Sequence, residues 1–355
     1  MRALRWHGAR DLRVDEVERP VPGPGQALVR VERVGLCGTD LEEYLHGPVD
    51  IPALAPHHRS GATAPLTIGH EVVGVVAECP DDPALVGIRV IPDVVEGCGA
   101  CYWCLRHEEG LCPDLVVLGQ HAPGGMAEYM LCRSATLVRV PPELDVDIAA
   151  FAEPVAVAVR AVAKAGDLRG TTVAVIGSGV VGTLIAQVAR GHGAEVIAQD
   201  PAAHRRDIVS ELGFRTAADR AETAAAALQA SGRPADVVFE CAGRPRSLDD
   251  AIALTRRGGT TVLVGLDPTP PSFPWRDVVL GEKRLIGTAA HMWDVDVLTA
   301  VRLLATGVVD PRPLLSRVVP LAGAAAALDE LAEPNHLAKV LVDPQAPSTI
   351  EGAGR

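Results

Sequence analysis

The stretch Thr172-Val-Ala-Val-Ile-Gly-Ser-Gly-Val-Val-Gly182 decides how this chain folds. Five strand-forming residues run into Gly177-Ser-Gly-Val-Val-Gly182, and a helix-like run from Val180 to Arg190 follows. A G-x-G-x-x-G pattern alone is common by chance, but between a strand and a helix it has a mechanism. Gly177 permits the tight turn, Gly179 lets a pyrophosphate approach the backbone, and Gly182 lets helix and strand pack closely. Ser178, Val180 and Val181 fill the positions between these glycines. There the unpaired N–H groups and positive dipole end of the helix would face the phosphates.

Outward from this loop, strand-like runs recur at Glu195–Ala198, Asp236–Phe239, Thr261–Val264 and Arg284–Ile286. Helix-like runs at Arg205–Leu212, Ala218–Gln229 and Leu248–Arg256 lie between them. Such alternation predicts an α/β domain over about 151–290, a doubly wound parallel sheet with helices on both faces. It opens with a helix over Ala149–Ala165, where Val155, Val159 and Val162 recur at helical spacing and Pro154 has to lie in the first turn. The second strand ends near Asp200, 23 residues after Gly177. A carboxylate there binds both ribose hydroxyls and repels a 2′-phosphate, which favours NAD; Arg205 and Arg206 keep NADP open, since arginine can hold that phosphate. Asp200 also suits a helix cap.

Before this domain the pattern is different. Turn formers in Pro20-Val-Pro-Gly-Pro-Gly25 precede Ala27–Val34, where Val29 to Glu32 alternates apolar and charged residues like a strand with one wet face. Short strand-like runs continue to Val140, which predicts a β-rich domain over 1–150. After it, 291–355 offers a helical run at Val295–Thr306, an Ala-rich helix near Leu321–Leu331 and a strand at Lys339–Val342. This part is expected to return to the first domain, and its last ten residues, polar and glycine-rich, to be loose.

Cys98, Cys101, Cys104 and Cys112 form C-x2-C-x2-C-x7-C within a lobe at about 96–114. Two-residue spacers let a tight loop aim successive thiolates at one centre, and four sulfur ligands fill a tetrahedral zinc site. With no position left for substrate, this zinc is structural. Cysteine ligation alone does not fix the metal, so an iron–sulfur cluster is the rival. A second set is dispersed: Cys37 in Gly35-Leu-Cys-Gly-Thr-Asp40, His70 and Glu71 in Gly69-His-Glu71, and Glu153 before Pro154. Thiolate, imidazole and carboxylate suit a catalytic zinc, which takes about three protein ligands and keeps one position open. Thr39, two residues after Cys37, can hydrogen-bond an alcohol at such a centre and take its proton.

The formal net charge of −12 and the absence of a Lys/Arg track speak against nucleic acid. No stretch of about 18 apolar residues free of charges and breakers suggests a membrane span. Eight cysteines behind an N-terminal sequence without an apolar signal point to a reducing compartment, the cytoplasm. Cys79, Cys132 and Cys241 have no spaced partners and read as small buried hydrophobes.

Together these residues resemble the zinc-dependent medium-chain dehydrogenases, above all the butanediol and sorbitol (polyol) branch. The resemblance covers nearly the whole chain. It is most specific at Gly35–Asp40, Gly69–Glu71, the four-cysteine lobe, Gly124–Tyr129, Ala152–Ala156 and Gly177–Gly182. It implies a GroES-like catalytic domain, a Rossmann domain, two zinc ions per chain, and a homodimer or homotetramer acting on a small alcohol or its ketone. By analogy the catalytic zinc takes Cys37, His70 and the carboxylate of either Glu71 or Glu153. Glu42 stands where many members carry a proton-relaying histidine; a carboxylate can relay too, with a different pH dependence. Ile88 and Pro80 replace an expected aspartate and glycine.

The leading expectation is an NAD-linked dehydrogenase that oxidises a secondary alcohol, a vicinal diol or polyol. The alternatives are a cyclitol, aminocyclitol or sugar dehydrogenase of a biosynthetic pathway, and a catalytically silent NAD-binding protein. His46, His57 and His58 lie in a Pro-rich loop that either lines the substrate entrance or is merely exposed.

Overall fold

Strand Gln26–Gly35 is the hub of the first of two units. It pairs antiparallel with Glu71–Glu78, with Tyr129–Arg133 and with Lys339–Asp343. Its register sets Gly35 opposite both Glu71 and Leu341, so three distant segments meet at its end. Its alternation holds: Val29 and Val31 are fully buried, Arg30 and Glu32 half-buried. The computed structural model describes residues 1–266, 269, 273–333 and 337–347. Most of the tail expected to be loose, residues 348–355, lies outside them.

The first unit comprises Met1–Glu153, His291–Ala305 and Leu315–Arg355. Around the hub its main sheet runs Val138–Arg139, Arg89–Ile91, Glu71–Glu78, Gln26–Gly35, Lys339–Asp343, Leu315–Pro320. A smaller antiparallel sheet sets Arg2–Gly8 between Asp11–Glu16 and Leu66–Thr67. Leu4, Trp6, Leu28, Val73, Val90, Met126 and Met130 lie at or near zero exposure. Each such side chain contributes roughly 1.5–3 kcal/mol by leaving water. Trp6 keeps its polar end satisfied by donating Nε1–H to the Glu43 carbonyl at 3.0 Å.

The second unit comprises Pro154–Ala290 and Thr306–Leu314. Its sheet is parallel throughout, in the order Arg215–Ala217, Glu195–Gln199, Thr172–Ile176, Ala235–Glu240, Thr255–Leu263, Arg284–Gly287. Numbered along the chain that order is 3-2-1-4-5-6, the Rossmann arrangement. Thr172–Ile176, wholly buried, has a neighbour on each side and leads into the helix Val180–Gly191. Gly177 has φ +92°, and a Cβ on Gly182 would collide with the Gly177 carbonyl, so both positions require glycine.

Four expectations need correction. The helix expected over Ala149–Ala165 is two helices, Val146–Ala149 and Ala152–Ala165. Asp145 caps the first, and the restart at Ala152 leaves Pro154 in a first turn, where its missing N–H costs nothing. The helix expected to end at Arg256 is Pro245–Leu254, and Thr255 already begins the next strand. Strand Leu315–Pro320, not foreseen, adds parallel to Lys339–Asp343. The segment Thr306–Leu314, expected with the first domain, belongs to the second unit. There the Gln187 side chain binds both backbone groups of Asp310, at 2.7 and 3.1 Å.

Candidate metal and cofactor sites

The four-cysteine lobe is built from two 3-10 turns, Cys104–Arg106 and Glu109–Leu111, on irregular chain. Its sulfurs converge, with Cys101 to Cys104 at 3.5 Å, Cys101 to Cys112 at 3.7 Å and Cys98 to Cys104 at 4.0 Å. Four thiolates about 2.3 Å from a tetrahedral zinc would stand about 3.8 Å apart, which matches. All four are free thiols, and the spacing is too wide for disulfides and too tight to enclose a cluster of irons. Backbone N–H groups of Ala100 and Cys101 bring the Cys98 thiol down to about 6, whereas burial pushes Cys104 up to about 12. Cys98 is therefore ready as a thiolate at neutral pH, and a bound cation would offset the burial that disfavours ionised Cys104 and Cys112. Exposed His107, next to the lobe's first turn, binds both oxygens of Asp294 at 2.8 and 3.0 Å.

The dispersed set meets at the end of the hub strand. Cys37 caps the helix Gly38–His46, which begins just beyond Gly35, and Glu71 opens the strand paired with Gly35. One ligand atom each from Cys37, His70 and Glu71 lies within 4.8 Å of the others. A Cβ on Gly35 would strike the Glu71 carboxylate, so glycine makes room for it. Among the described residues the Nδ1 of buried His70 has no hydrogen-bond partner. A soft thiolate, an orphaned imidazole nitrogen and a carboxylate in one buried place fit a zinc ion. Thr39 Oγ1 stands 3.4 Å from His70 Nε2. Glu42 is exposed one turn further along the same helix. Glu153 opens the helix Ala152–Ala165 and contacts His291 at 3.3 Å instead of joining the close threesome.

Three residues of this neighbourhood went unforeseen. Buried Asp40 accepts the Cys37 N–H at 2.9 Å and sits 3.9 Å from His70 Nδ1. Burial pushes its carboxyl above the usual range, against the pull of His70. Burial alone would lower His70, but Cys37 and Asp40 outweigh it and raise the imidazole well above its usual value. Lys339 donates to both Glu71 oxygens at 2.7 Å and to the Leu36 carbonyl at 2.9 Å. Burial disfavours its charge, yet Glu71 keeps the ammonium raised above its ordinary value. Its signal was visible: one of only three lysines, set in the apolar run Lys339-Val-Leu-Val342. His291 had no such signal.

In the second unit the open side of Gly179 is empty within 4 Å among the described residues, a gap that a pyrophosphate can fill. Asp200, buried at the end of its strand, accepts the Ser178 N–H and the Ala202 N–H at 2.9 Å each. It therefore both braces the glycine loop and steadies the next helix. Its remaining lone pairs stay available for ribose hydroxyls. Arg205 Nη1 stands 3.5 Å from the same carboxylate, and Arg206 donates to the backbone carbonyls of Asp200 and Pro201.

The loop histidines form a group of their own. His57 stacks on His121 with ring centroids 4.9 Å apart, and His58 reaches Asp114 at 3.0 Å. They tie the Pro-rich loop to the segment after the lobe, while His46 is exposed.

Residues 23–142 match the alcohol dehydrogenase GroES-like domain, and residues 180–306 match zinc-binding dehydrogenases. The chain is 31% identical to L-idonate 5-dehydrogenase (NAD(P)(+)) of Escherichia coli strain K12, over 88% of this chain and 90% of that one. It superposes on the crystal structure of 2R,3R-butanediol dehydrogenase from Bacillus subtilis with TM-score 0.89, at 29% identity, covering 97% of this chain and 99% of that one. A zinc-binding dehydrogenase from Sinorhizobium meliloti, crystallised with NADP, gives TM-score 0.85 at 32% identity, with 97% and 99% covered.

Proposed function

Since the chain belongs to the zinc-dependent medium-chain alcohol dehydrogenases, we propose that it oxidises one secondary hydroxyl of a vicinal diol or polyol to the ketone, or catalyses the reverse, with NAD as hydride carrier. The observation that carries this reading is the meeting of half-buried Cys37 with buried His70 and Glu71 at one point, in a chain that also has the dinucleotide loop. Bound zinc supplies Lewis acidity that brings an alcohol's pKa towards neutrality, and bound NAD supplies the hydride acceptor.

The chain's own residues arrange the rest. Cys37, His70 and a carboxylate from Glu71 or Glu153 hold the ion and leave one position open. Thr39, against His70, accepts the alcohol's proton at Oγ1 as it gives up its own hydroxyl proton. Glu42, exposed one turn away, passes it to solvent. Gly177, Ser178, Gly179, Val180, Val181 and Gly182 receive the pyrophosphate, and Asp200 receives the ribose, with Arg205 beside it. Cys98, Cys101, Cys104 and Cys112 would fill all four positions of a second zinc and so make that site structural.

Idonate and butanediol, for which two of the compared proteins are named, both carry a secondary hydroxyl beside another hydroxyl. We also read the chain as a cytoplasmic homo-oligomer. Exposed Trp275, Val279 and Leu280 lie just before the outermost strand Arg284–Gly287, and light scattering tests that assembly.

The deciding experiment follows NAD reduction by zinc-loaded protein on butane-2,3-diol, sorbitol, idonate, myo-inositol and propan-2-ol. The diol, polyol or polyhydroxy acid is expected to exceed propan-2-ol in kcat/KM. Turnover of the cyclitol alone would replace this reading with a biosynthetic cyclitol dehydrogenase. No turnover at full zinc content would leave a silent NAD-binding protein.

A further inference from the structure

His291 precedes the π-helical turn Trp293–Val297, a rare local geometry that concentrates at functional sites. Its residue is 2% exposed, and among the described residues neither ring nitrogen completes a hydrogen bond within the usual geometry. Burying an imidazole in that state is unfavourable unless another group gains from its presence. That group is Glu153, whose Oε1 stands 3.3 Å from His291 Nε2. The other acids nearby are already engaged. Asp93 holds Arg133 at 2.9 Å and the Val95 N–H at 3.1 Å, and Asp296 accepts the Met292 N–H at 2.8 Å. The bond from Asp296 to Met292 fixes the backbone next to His291, so the ring has a set direction.

Glu71 has its own partner in Lys339, which engages both oxygens. Among the described residues Glu153 has one such neighbour, the imidazole, 3.3 Å from one oxygen. An acid gripped at one oxygen presents the other, and metal-ligating carboxylates are commonly held in this way by a hydrogen-bonding neighbour. We propose that His291 is a positioning residue: its Nε2–H holds one oxygen of Glu153, so that the other is aimed at the ion held by Cys37 and His70. The inference rests on Glu153 serving as a ligand of that ion.

The test uses full-length protein with cobalt in place of the catalytic zinc, and reads metal affinity by chelator competition together with the visible cobalt spectrum. His291→Phe is expected to weaken the catalytic metal by roughly 10- to 100-fold and to shift the spectrum. His291→Gln places an amide N–H where Nε2 was and is expected to restore both. His291→Asn places its N–H where Nδ1 was, away from Glu153, and should behave like Phe; it serves where the Phe variant does not fold. Unchanged affinity and spectrum in Glu153→Gln would remove Glu153 from the metal, and the inference with it. A shift in Glu153→Gln, with none in His291→Phe or His291→Asn, would overturn the positioning role alone.

Discussion

The lobe and the threesome both aim metal-binding side chains at one point, four thiols in the first and a thiol, an imidazole and a carboxylate in the second, but they are encoded in opposite ways. The lobe takes all its ligands from one short loop, Cys98 to Cys112, whose 3-10 turns contribute no large core. The threesome draws Cys37, His70 and Glu71 from two strand ends, and Lys339 arrives from 268 residues further along. In the lobe no core holds the loop, so a bound metal would have to organise it. In the threesome the paired strands place the ligands.

That difference sets the largest expected effect. Cys101→Ser should lose one of two zinc ions per chain and lower the melting temperature sharply, since zinc binding to a structural site of this kind is worth about 10–16 kcal/mol. Metal analysis and calorimetry check it, and full zinc content in the variant would refute the structural site. Cys37→Ser should also lose one zinc but keep its fold and NAD binding, while kcat/KM falls by about 1000-fold or more, the cost of losing several kcal/mol of Lewis-acid stabilisation. Equal stability losses in the two variants would dissolve the contrast between a metal-built and a sheet-built site.

The contrast also explains what could be read in advance. A motif confined to one loop or one strand–turn–helix is legible because its residues constrain one another locally. The cysteine spacing and Gly177–Gly182 are of that kind. The ligand types at Cys37, His70 and Glu71 were legible as well, from short motifs in a familiar order. The supports were not. Asp40, Lys339 and His291 act through tertiary packing that no local period records, and the choice between Glu71 and Glu153 depends on which cation or donor reaches each acid. The strand Leu315–Pro320 escaped for a similar reason: its pairing with Lys339–Asp343 makes it a strand, and its own alternation is weak.

Lys339→Met sharpens the point. It leaves the Glu71 carboxylate buried and uncompensated, and removing one partner of such a pair costs about 3–5 kcal/mol. Denaturant titration should show that loss in protein that keeps the lobe's zinc and has been stripped of the catalytic ion alone. A loss that appears only with the catalytic ion bound would mean that the pair serves the metal and not the sheet.

The cofactor loop responds more gently. Arg205→Ala removes a half-exposed guanidinium 3.5 Å from Asp200. NADP use should fall relative to NAD by about tenfold, equivalent to 1.4 kcal/mol. An unchanged ratio of kcat/KM values would remove Arg205 from cofactor selection.

The smallest effect belongs to the bond between His107 and Asp294, the lobe's tie to the π-helical turn. Both side chains are partly exposed, so water screens the pair and Asp294→Asn should cost less than about 1 kcal/mol. Burial lowers the His107 imidazole, but Asp294 and then Glu109 together outweigh it and raise it above its usual value. A histidine raised in the folded state binds its proton more tightly there than when unfolded. Its contribution is therefore complete below the unfolded value, about 6.5, and fades as pH climbs through the raised folded value. Melting temperatures between pH 6 and 9 should show a shallow decline in the parent that Asp294→Asn flattens, with zinc content constant. Loss of the lobe's zinc in that variant would mean that the loop needs a distant partner after all, and the two sites would then differ in degree only.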